Sequence, residues 1–437
     1  GKKKKAAKPS DGKLPAFDNE DVPSSDDDDQ PVAAAVAKES DDEEFLETAD
    51  EKRLRLTKEY LNELDEATGI DKNVSDTLQE QADVKARMVT MQLAAQLEVT
   101  PSSLKKGHKR APTCLTIMKD DRTVFTGGKD CAVIRWDVET GQKQIMSGKY
   151  KEPHCGGHFM HVLGIAFNEE TNLVVSAGRD RLIRLWDPRT DHKGKCIDTL
   201  RGHQGAATSI VSQPGSGRVY SGSLDKTIKI WDLGHRAYVE TLFGHTGGVT
   251  SLDMTTEDRM ISGGLDRSVR VWKVAFDTHL FFGGAHTGAI DTVSILDNNR
   301  FVVGSEDGSV SFWSAASRKP GALIPNAHSS QTITAVGCVP YSDVAISGSV
   351  DGKVRFYEMA MKSENKRRSA MDVRVVKEVE VHGSVNALRV SPSLKLCVAA
   401  VGSEGSLGRW YTDRGAKEGL VVMRLDHDGK PVQDRHS

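Results

Sequence analysis

Seven times between His108 and Tyr411 the chain repeats one spacing: a histidine, 21 to 23 residues to an aspartate position, and six more to an aromatic residue. The series is His108/Asp130/Trp136, His158/Asp180/Trp186, His203/Asp225/Trp231, His245/Asp266/Trp272, His286/Asp307/Trp313, His328/Asp351/Tyr357 and His382/Gly405/Tyr411. A period of 41 to 54 residues is too long for a solenoid turn and corresponds to one four-stranded blade of a β-propeller. The spacing therefore predicts an all-β, seven-bladed propeller.

The residues between these positions carry the strand pattern of such a blade. Short apolar segments alternate with glycine-rich turns, as in 249–252, 260–264, 227–231 and 239–242 for the first to fourth strands. The seventh blade can be closed by the segment 420–425, by an N-terminal segment near Leu104, or by both, and the C-terminal strand is favoured. The propeller is thus expected to span residues 104–437.

Charge divides the chain unevenly. Residues 1–103 hold 14 basic and 25 acidic residues, a net charge of −11, whereas the remainder holds 45 and 37, a net charge of +8. An acidic arm on a basic domain is typical of nucleic-acid and assembly proteins, with a merely solubilising tail as the alternative. Residues 1–44 combine lysines at 2–5 with aspartates at 26–29 and have few apolar residues, so they predict a disordered basic and acidic tail.

A helical arm is predicted over residues 45–103. Thr48 can cap a first helix that Gly69 ends, and Ser75 or Asp76 can begin a second helix that runs to Pro101. Each helix has an apolar face without an obvious partner in the arm, so it is expected to dock on the propeller or on another protein or RNA. The N-terminal extension is therefore read as acidic and partly helical.

Three motifs resemble the WD40 family: GH at 244–245, LDKTIKIWD at 224–232 and RLWD at 184–187. In that family the histidine, a strand hydroxyl, the aspartate and the tryptophan form a buried hydrogen-bonded tetrad in each blade. A buried aspartate needs such partners because burial without them is costly. The resemblance implies that the His–Asp pairs named above are structural rather than catalytic, and that the chain is not an enzyme.

A finer resemblance lies in EKRLRLTKEYL at 51–61 and GSEGSLGRWY at 402–411, which are similar to WD40 proteins of the U3 small nucleolar ribonucleoprotein. It implies an RNA-binding scaffold that holds the box B/C motif of U3 small nucleolar RNA beside a kink-turn-binding protein. The expected partners also include other small-subunit pre-ribosome factors, and the expected role is pre-rRNA processing in the nucleolus of the nucleus. No cofactor, small-molecule substrate or membrane is implied.

Basic residues beside the histidines and aspartates are the candidates for RNA contact. Because the loop with the histidine and the turn with the aspartate form the same face of a propeller, these residues should share that face. They are Lys109, Arg110, Lys129, Arg179, Arg181, Lys226, Arg267 and Lys353. Blade five interrupts the series with Glu306 and Gly308. Without exposed aromatic residues, the pattern favours recognition of the RNA backbone and shape.

Other readings stay open at this point. The sequence WDPR at 186–189 matches a signature of propellers that serve as ubiquitin-ligase substrate receptors, and chromatin- or histone-binding propellers also carry acidic arms. His154, Cys155, His158 and His161 are close in sequence, but their spacing fits no closed zinc site, so no metal is expected. Basic residues in the loop 360–372 are either a further contact or a spacer.

Overall fold

The computed structural model describes residues 93–94, 97–101, 104–146, 156–189, 196–255, 259–276, 278–340, 342–361, 371–406, 408, 412–413 and 415–426. The predicted tail 1–44 and the first predicted helix lie outside these residues, as does most of the second. No helix in the described residues has the length and apolar content needed to cross a membrane.

Seven antiparallel sheets make up the described fold. Two short strands, β1 (Glu98–Pro101) and β2 (Lys105–Lys106), come first in the chain and belong to the last sheet. Blades one to three consist of β3 (Pro112–Ile117), β4 (Thr123–Gly128), β5 (Val133–Asp137) and β6 (Lys143–Met146); β7 (Val162–Asn168), β8 (Leu173–Gly178), β9 (Leu182–Trp186) and β10 (Asp198–Arg201); and β11 (Ala207–Ser212), β12 (Arg218–Ser223), β13 (Thr227–Asp232) and β14 (Ala237–Phe243).

Blades four to six continue the series, with one 3-10 turn at Val274–Phe276. They consist of β15 (Val249–Met254), β16 (Arg259–Gly264), β17 (Ser268–Lys273) and β18 (Thr278–Gly283); β19 (Ile290–Ile295), β20 (Arg300–Ser305), β21 (Val310–Ser314) and β22 (Ala322–Ile324); and β23 (Ile333–Cys338), β24 (Val344–Ser349), β25 (Lys353–Met361) and β26 (Met371–Glu380). Blade seven contains β27 (Ser384–Val390), β28 (Leu396–Gly402) and β29 (Gly419–Asp426), together with β1 and β2.

The blades form a closed ring. The first strand of each blade contacts the first strand of the next, and β27 of blade seven contacts β3 of blade one. Apolar clusters fill the spaces between blades, and the aromatic residues of the repeat lie in them: Trp186 packs against Phe125 of blade one, and Trp272 packs against Tyr220 of blade three. Burial of these large side chains contributes apolar stabilisation to the ring. The predicted seven-bladed, all-β fold is confirmed.

Blade seven closes with strands from both chain ends. The C-terminal strand β29 is the third strand of the sheet, and the fourth position is filled by β1 and β2, which pair with β29. The preference for a C-terminal closing strand is therefore corrected. Residues 98–101, expected at the end of a helix, are extended instead because they complete this sheet and bury Val99. The described propeller thus begins before residue 104.

The segment that leads into β1 is also packed on the propeller. Leu93, Leu97 and Val99 belong to the apolar cluster between blades six and seven. The buried Asp343 carboxylate accepts the backbone N–H of Leu93 at 2.9 Å and that of Ala94 at 3.3 Å. These contacts tie the start of the described chain to blade six.

The seventh match to the repeat spacing does not mark a tetrad. His382 is exposed, and its supposed partner Gly405 lies in the long connection between β28 and β29. The third strand of blade seven begins only at Gly419, and Tyr411 lies outside the described residues. An insertion between the second and third strands has placed an aromatic residue at the expected distance by coincidence.

Candidate nucleic-acid interface

Hydrogen-bonded tetrads fix the geometry of the candidate face. In blade three, His203 Nδ1 lies 2.9 Å from Asp225, its Nε2 lies 2.7 Å from Ser221 Oγ, and Trp231 Nε1 donates to that hydroxyl at 2.8 Å. The same arrangement occurs in blades one, two and four through Thr126, Ser176 and Ser262. In blade six Tyr357 stands where the other blades have the indole, and its hydroxyl oxygen accepts a hydrogen bond from Ser347 at 3.1 Å.

The tetrad side chains lie beneath the surface, as Trp136 and Asp180 show. Trp136 of blade one is 1% exposed, and its Nε1 donates to the Thr126 hydroxyl at 2.8 Å. Asp180 of blade two is 8% exposed and lies 2.9 Å from His158 Nδ1. No ligand on the surface can reach either side chain, so both belong to the framework of the site and not to its contact surface. The other buried members are His108, His158, His203, His245, His286, His328, Trp186, Trp231, Trp272, Trp313 and Tyr357.

Blade five forms an equivalent hydrogen-bonded network with different residues. Position 303, where other blades have the hydroxyl, is valine, and Ser311 supplies the hydroxyl to His286 Nε2 and Trp313 instead. Asp307 lies 3.8 Å from His286 Nδ1, and Ser309 bridges the two side chains. Burial lowers the pKa of His286, which has a weaker link to its carboxylate than the other histidines.

Both ring nitrogens of each tetrad histidine are used inside the blade, so these His–Asp pairs present no free base to solvent. Burial alone would raise the pKa of Asp225, but hydrogen bonds from His203 and Thr227 hold it below its usual range. The same balance lowers the pKa of Asp266 beside His245 and Ser268. The tetrads are therefore structural.

The tetrad makes a stability prediction. Asp225→Ala should lower the free energy of unfolding by about 3 kcal/mol, because it leaves His203 and the turn amides without their acceptor. Asp307→Ala should cost about half as much, because His286 keeps both serine partners. Urea unfolding of the two variants measures the difference, and equal losses would contradict a relayed link in blade five.

The tetrad aspartate also shapes the turn that carries the candidate cations. Its carboxylate accepts the N–H of the residue two positions on, as at Thr227, and the N–H of the residue after the histidine, as at Gln204. The residue before the aspartate donates its N–H to the loop ahead of the first strand, as Leu224 does to Ala206. The histidine loops and aspartate turns therefore lie on one face, called here the top face.

The residue after each aspartate adopts the left-handed conformation that ends this type of turn. Its φ is +65° at Cys131, +67° at Arg181, +71° at Lys226 and +60° at Arg267, and glycine fills the position in blades five and six. A residue with a Cβ is disfavoured there, and glycine is the usual choice. Blades two to four thus hold long cationic side chains where backbone stability alone favours glycine.

Six of the eight predicted RNA-contact residues are exposed on the top face. They are Lys109, Arg110, Arg179, Arg181, Lys226 and Arg267, called here the cationic arc. The arc runs over blades one to four. In the described part of the chain, no carboxylate lies within ion-pair distance of Arg181, Lys226 or Arg267. These side chains are available to an anionic ligand.

Lys129 does not belong to the arc. Its side chain is only 2% exposed, and its Nζ lies 3.1 Å from the carboxylate of Glu404 and 2.9 Å from the carbonyl of Gly408. Both partners come from the insertion of blade seven, so Lys129 fastens that insertion to blade one. The prediction of an RNA contact at Lys129 is therefore corrected, because its charge is already neutralised inside the fold.

Lys353, the other predicted RNA contact, does not belong to the cationic arc either. It stands two residues after Asp351, at the first position of β25, whereas Gly352 occupies the left-handed position. Its ammonium group pairs with Glu378 and lies 3.7 Å from Glu380, both on β26. The hydrogen bond from Lys353 and the field of Glu378 raise the pKa of Lys353. This lysine pairs across the outer strands of blade six.

Two exposed leucines on the same turns were not predicted. Leu224 is 40% exposed and Leu265 is 47% exposed, directly before the aspartates of blades three and four. The spacing of the repeat locates them in the turn, but the charge pattern that marks the cations gives no signal for them. They place apolar surface beside Lys226 and Arg267, where a ribose or base edge can pack. Exposed Glu306 marks the end of the cationic surface at blade five.

The remaining sequence candidates are placed as follows. His158 is used in the blade-two tetrad, and His154 and Cys155 lie outside the described residues. Within the described ranges, no three His, Cys, Asp or Glu side chains converge on a point that could hold a metal ion.

In the WDPR sequence, Trp186 is buried and Arg189 pairs with Asp187 at 3.1 Å. The two ends of the loop 360–372 belong to the strands β25 and β26. Residues 362–370 lie outside the described residues.

Comparison with known proteins decides the family. The description "WD domain, G-beta repeat" matches residues 100–137, 151–187, 194–232, 236–273, 278–314 and 322–358, slightly more than half of the chain. The chain belongs to the WD40 family. Each matched segment ends just after the aromatic residue of one of the first six blades of this WD40 protein. Of blade seven, only the end of β1 and the strand β2 fall within the first matched segment, whereas β27 to β29 and the insertion lie beyond all six.

The chain is similar to proteins whose names refer to the U3 particle or its RNA. A U3 snoRNP-associated protein-like sequence of Arabidopsis thaliana is 26% identical over 422 residues, 87% of this chain and 86% of that protein. U3 small nucleolar RNA-interacting protein 2 of Homo sapiens is 31% identical over 189 residues, 40% of this chain and 39% of that protein. The solved structure of U3-55K has a TM-score of 0.67 at 30% identity and covers 76% of this chain and 100% of its own.

Proposed function

We propose that this WD40 protein is a non-catalytic RNA-binding scaffold of a U3 small nucleolar ribonucleoprotein, located in the nucleolus. It binds the box B/C motif of U3 RNA beside a kink-turn-binding protein and supports pre-rRNA processing and assembly of the small ribosomal subunit. The observation that carries the proposal is the cationic arc, which sets exposed arginines and lysines of four consecutive blades on one face. The names of the Arabidopsis and human relatives agree with a U3 particle.

The chemistry of the arc suits a structured RNA. Guanidinium and ammonium groups bind phosphate oxygens by charge-assisted hydrogen bonds, and arginine offers a planar pair of donors. Spacing along the arc follows the blade repeat, so several phosphates are contacted at once. Leu224 and Leu265 add apolar contact without base-specific donors. Such a surface recognises backbone and shape, as expected where a second protein holds the RNA fold.

Direct binding tests the proposal. The full chain is titrated with box B/C RNA, with and without the kink-turn-binding protein, and with an RNA of the same length whose motif is scrambled. Motif-dependent binding that weakens steeply with salt is the expected result, since each phosphate contact releases counterions. Equal affinity for the scrambled RNA, in the presence of the kink-turn-binding protein, contradicts recognition of the motif.

A further inference from the structure

All seven first strands carry a β-bulge at the same place. The register of each shifts across one residue, and the bulged residues are Thr113, Leu163, Thr208, Thr250, Asp291, Thr334 and Asn386. All of them line the central cavity of the ring, whose volume is about 610 Å³. A bulge aims an extra side chain away from the regular pleat, here toward the next blade.

Five of these side chains donate a hydrogen bond to the next blade. The acceptor is always the carbonyl of the residue before the neighbouring bulge. Thr113 donates to Val162 at 2.5 Å, Thr208 to Val249 at 2.6 Å, Thr250 to Ile290 at 2.5 Å, Thr334 to Val385, and Asn386 to Pro112 at 2.8 Å. They form a ring of links between blades at the cavity wall. Leu163 interrupts the ring between blades two and three, since it has no donor.

Asp291 holds the corresponding position between blades five and six. The packing around it matches that of the threonine blades: a methyl group placed on Gly304 would lie 2.6 Å from Ile333 Cγ2, just as one on Gly263 would lie 2.7 Å from Ile290 Cγ2. By analogy with the bonds of Thr250 and Thr334, the carbonyl of Ile333 is the acceptor expected for a donor at position 291. An ionised carboxylate can only accept hydrogen bonds, whereas a protonated carboxyl group can donate one.

The charges around Asp291 favour the protonated form. Glu306, on the turn of the same blade, is the acidic group that faces it, and the described residues give the Asp291 carboxyl no hydrogen-bond donor. On β15 of blade four, Asp253 is engaged with Ser294, Ile295 and Arg389. On β23 of blade six no residue is acidic or basic. Burial, and then the charge of Glu306, raise the pKa of Asp291 to about 7.

We propose that Asp291 links blade five to blade six only in its protonated state, by donating to the carbonyl of Ile333, so that a second interruption, besides the one at Leu163, forms when this carboxyl group ionises. Asn386 supplies the precedent for a planar side chain in this role, because its amide donates the same bond from blade seven to blade one. The inference does not depend on RNA binding.

The sign of the effect follows from linkage. Asp291 binds its proton more tightly in the folded chain than in the unfolded chain, whose reference pKa is 3.8. Its contribution to stability is therefore present at low pH and is lost as the pH rises through about 7. An asparagine at this position donates at every pH, so Asp291→Asn should remove this part of the pH dependence.

The test is the thermal midpoint of the full chain and of Asp291→Asn between pH 5 and pH 8.5. The midpoint of the variant is expected to rise relative to the wild type as the pH increases, by at least about 3 °C at pH 8. Glu306→Gln should keep a pH dependence but move it to lower pH, since one of its two causes is removed. Parallel curves for the wild type and Asp291→Asn, or a flat curve for Glu306→Gln, would overturn the proposal.

A direct titration covers the case in which a variant does not fold. Carbon-13 NMR of labelled aspartate carboxyl groups in the wild-type chain follows Asp291 itself, with Asp291→Thr, which restores the residue of the other blades, as the alternative variant for assignment. A titration midpoint near 7 is expected. A midpoint near the ordinary value of 3.8 would refute the protonated link.

Discussion

Replacing Arg181, Lys226 and Arg267 together by glycine is expected to weaken binding of box B/C RNA by about 100-fold without destabilising the propeller. Three lost charge-assisted contacts of about 1 kcal/mol each amount to about 3 kcal/mol of binding free energy. All three residues have positive φ, so glycine relieves backbone strain at these positions, whereas another residue with a Cβ would retain it. The thermal midpoint of the variant should equal or exceed that of the wild type.

Salt dependence supplies a second readout of the same variant. The slope of the logarithm of affinity against the logarithm of salt concentration should become shallower by about one for each phosphate contact removed. Arg236→Gly is the control for loss of charge: Arg236 is exposed with a φ of +52° and lies 3.7 Å from Asp198, and its turn joins β13 to β14 at the opposite end of the blade. If Arg236→Gly weakened RNA binding by as much free energy as one third of the loss in the triple variant, net charge and not the cationic arc would govern binding.

Features that depend on residues of a single blade could be predicted from the sequence. The tetrad, the aspartate turn and the position of Arg181, Lys226 and Arg267 all follow from local spacing, because one strand pair and one turn fix them. The same logic predicted a common face for residues almost 90 positions apart along the chain. Local geometry repeated around a ring determines a surface even where the connecting loops vary.

Contacts with residues from distant parts of the chain could not be predicted from the sequence. The position of Lys129 in its turn matches that of exposed Arg179, yet Glu404, 275 residues away, makes it a buried structural link. A charge reversal at Lys129 would therefore report on folding rather than on RNA. The insertion of blade seven was also missed. Tyr411 matches the six-residue spacing by chance, so the sequence did not indicate that the third strand starts at Gly419.

The closing strand is the other feature that depends on distant residues, and its removal should have the largest effect on stability. A chain that begins at Gly107 lacks β1 and β2 and is expected to lose cooperative unfolding or to aggregate, whereas one that begins at Gln92 should unfold in a single transition. Loss of the buried Leu93, Leu97 and Val99 side chains costs about 5–8 kcal/mol, as much as the total stability of many domains. The edge of β29 would also be left unpaired.

Comparison of the two truncations isolates the closing segment, since residues 1–91 are missing from both. Thermal unfolding followed by circular dichroism, with light scattering for aggregation, measures the difference. Asp343→Ala in the longer chain is the graded version: it removes only the acceptor of the Leu93 and Ala94 amides and should cost about 1–3 kcal/mol. Midpoints within about 2 °C for the two truncations would mean that β28 and β29 hold blade seven together without a fourth strand, and that closure through β1 does not stabilise the ring.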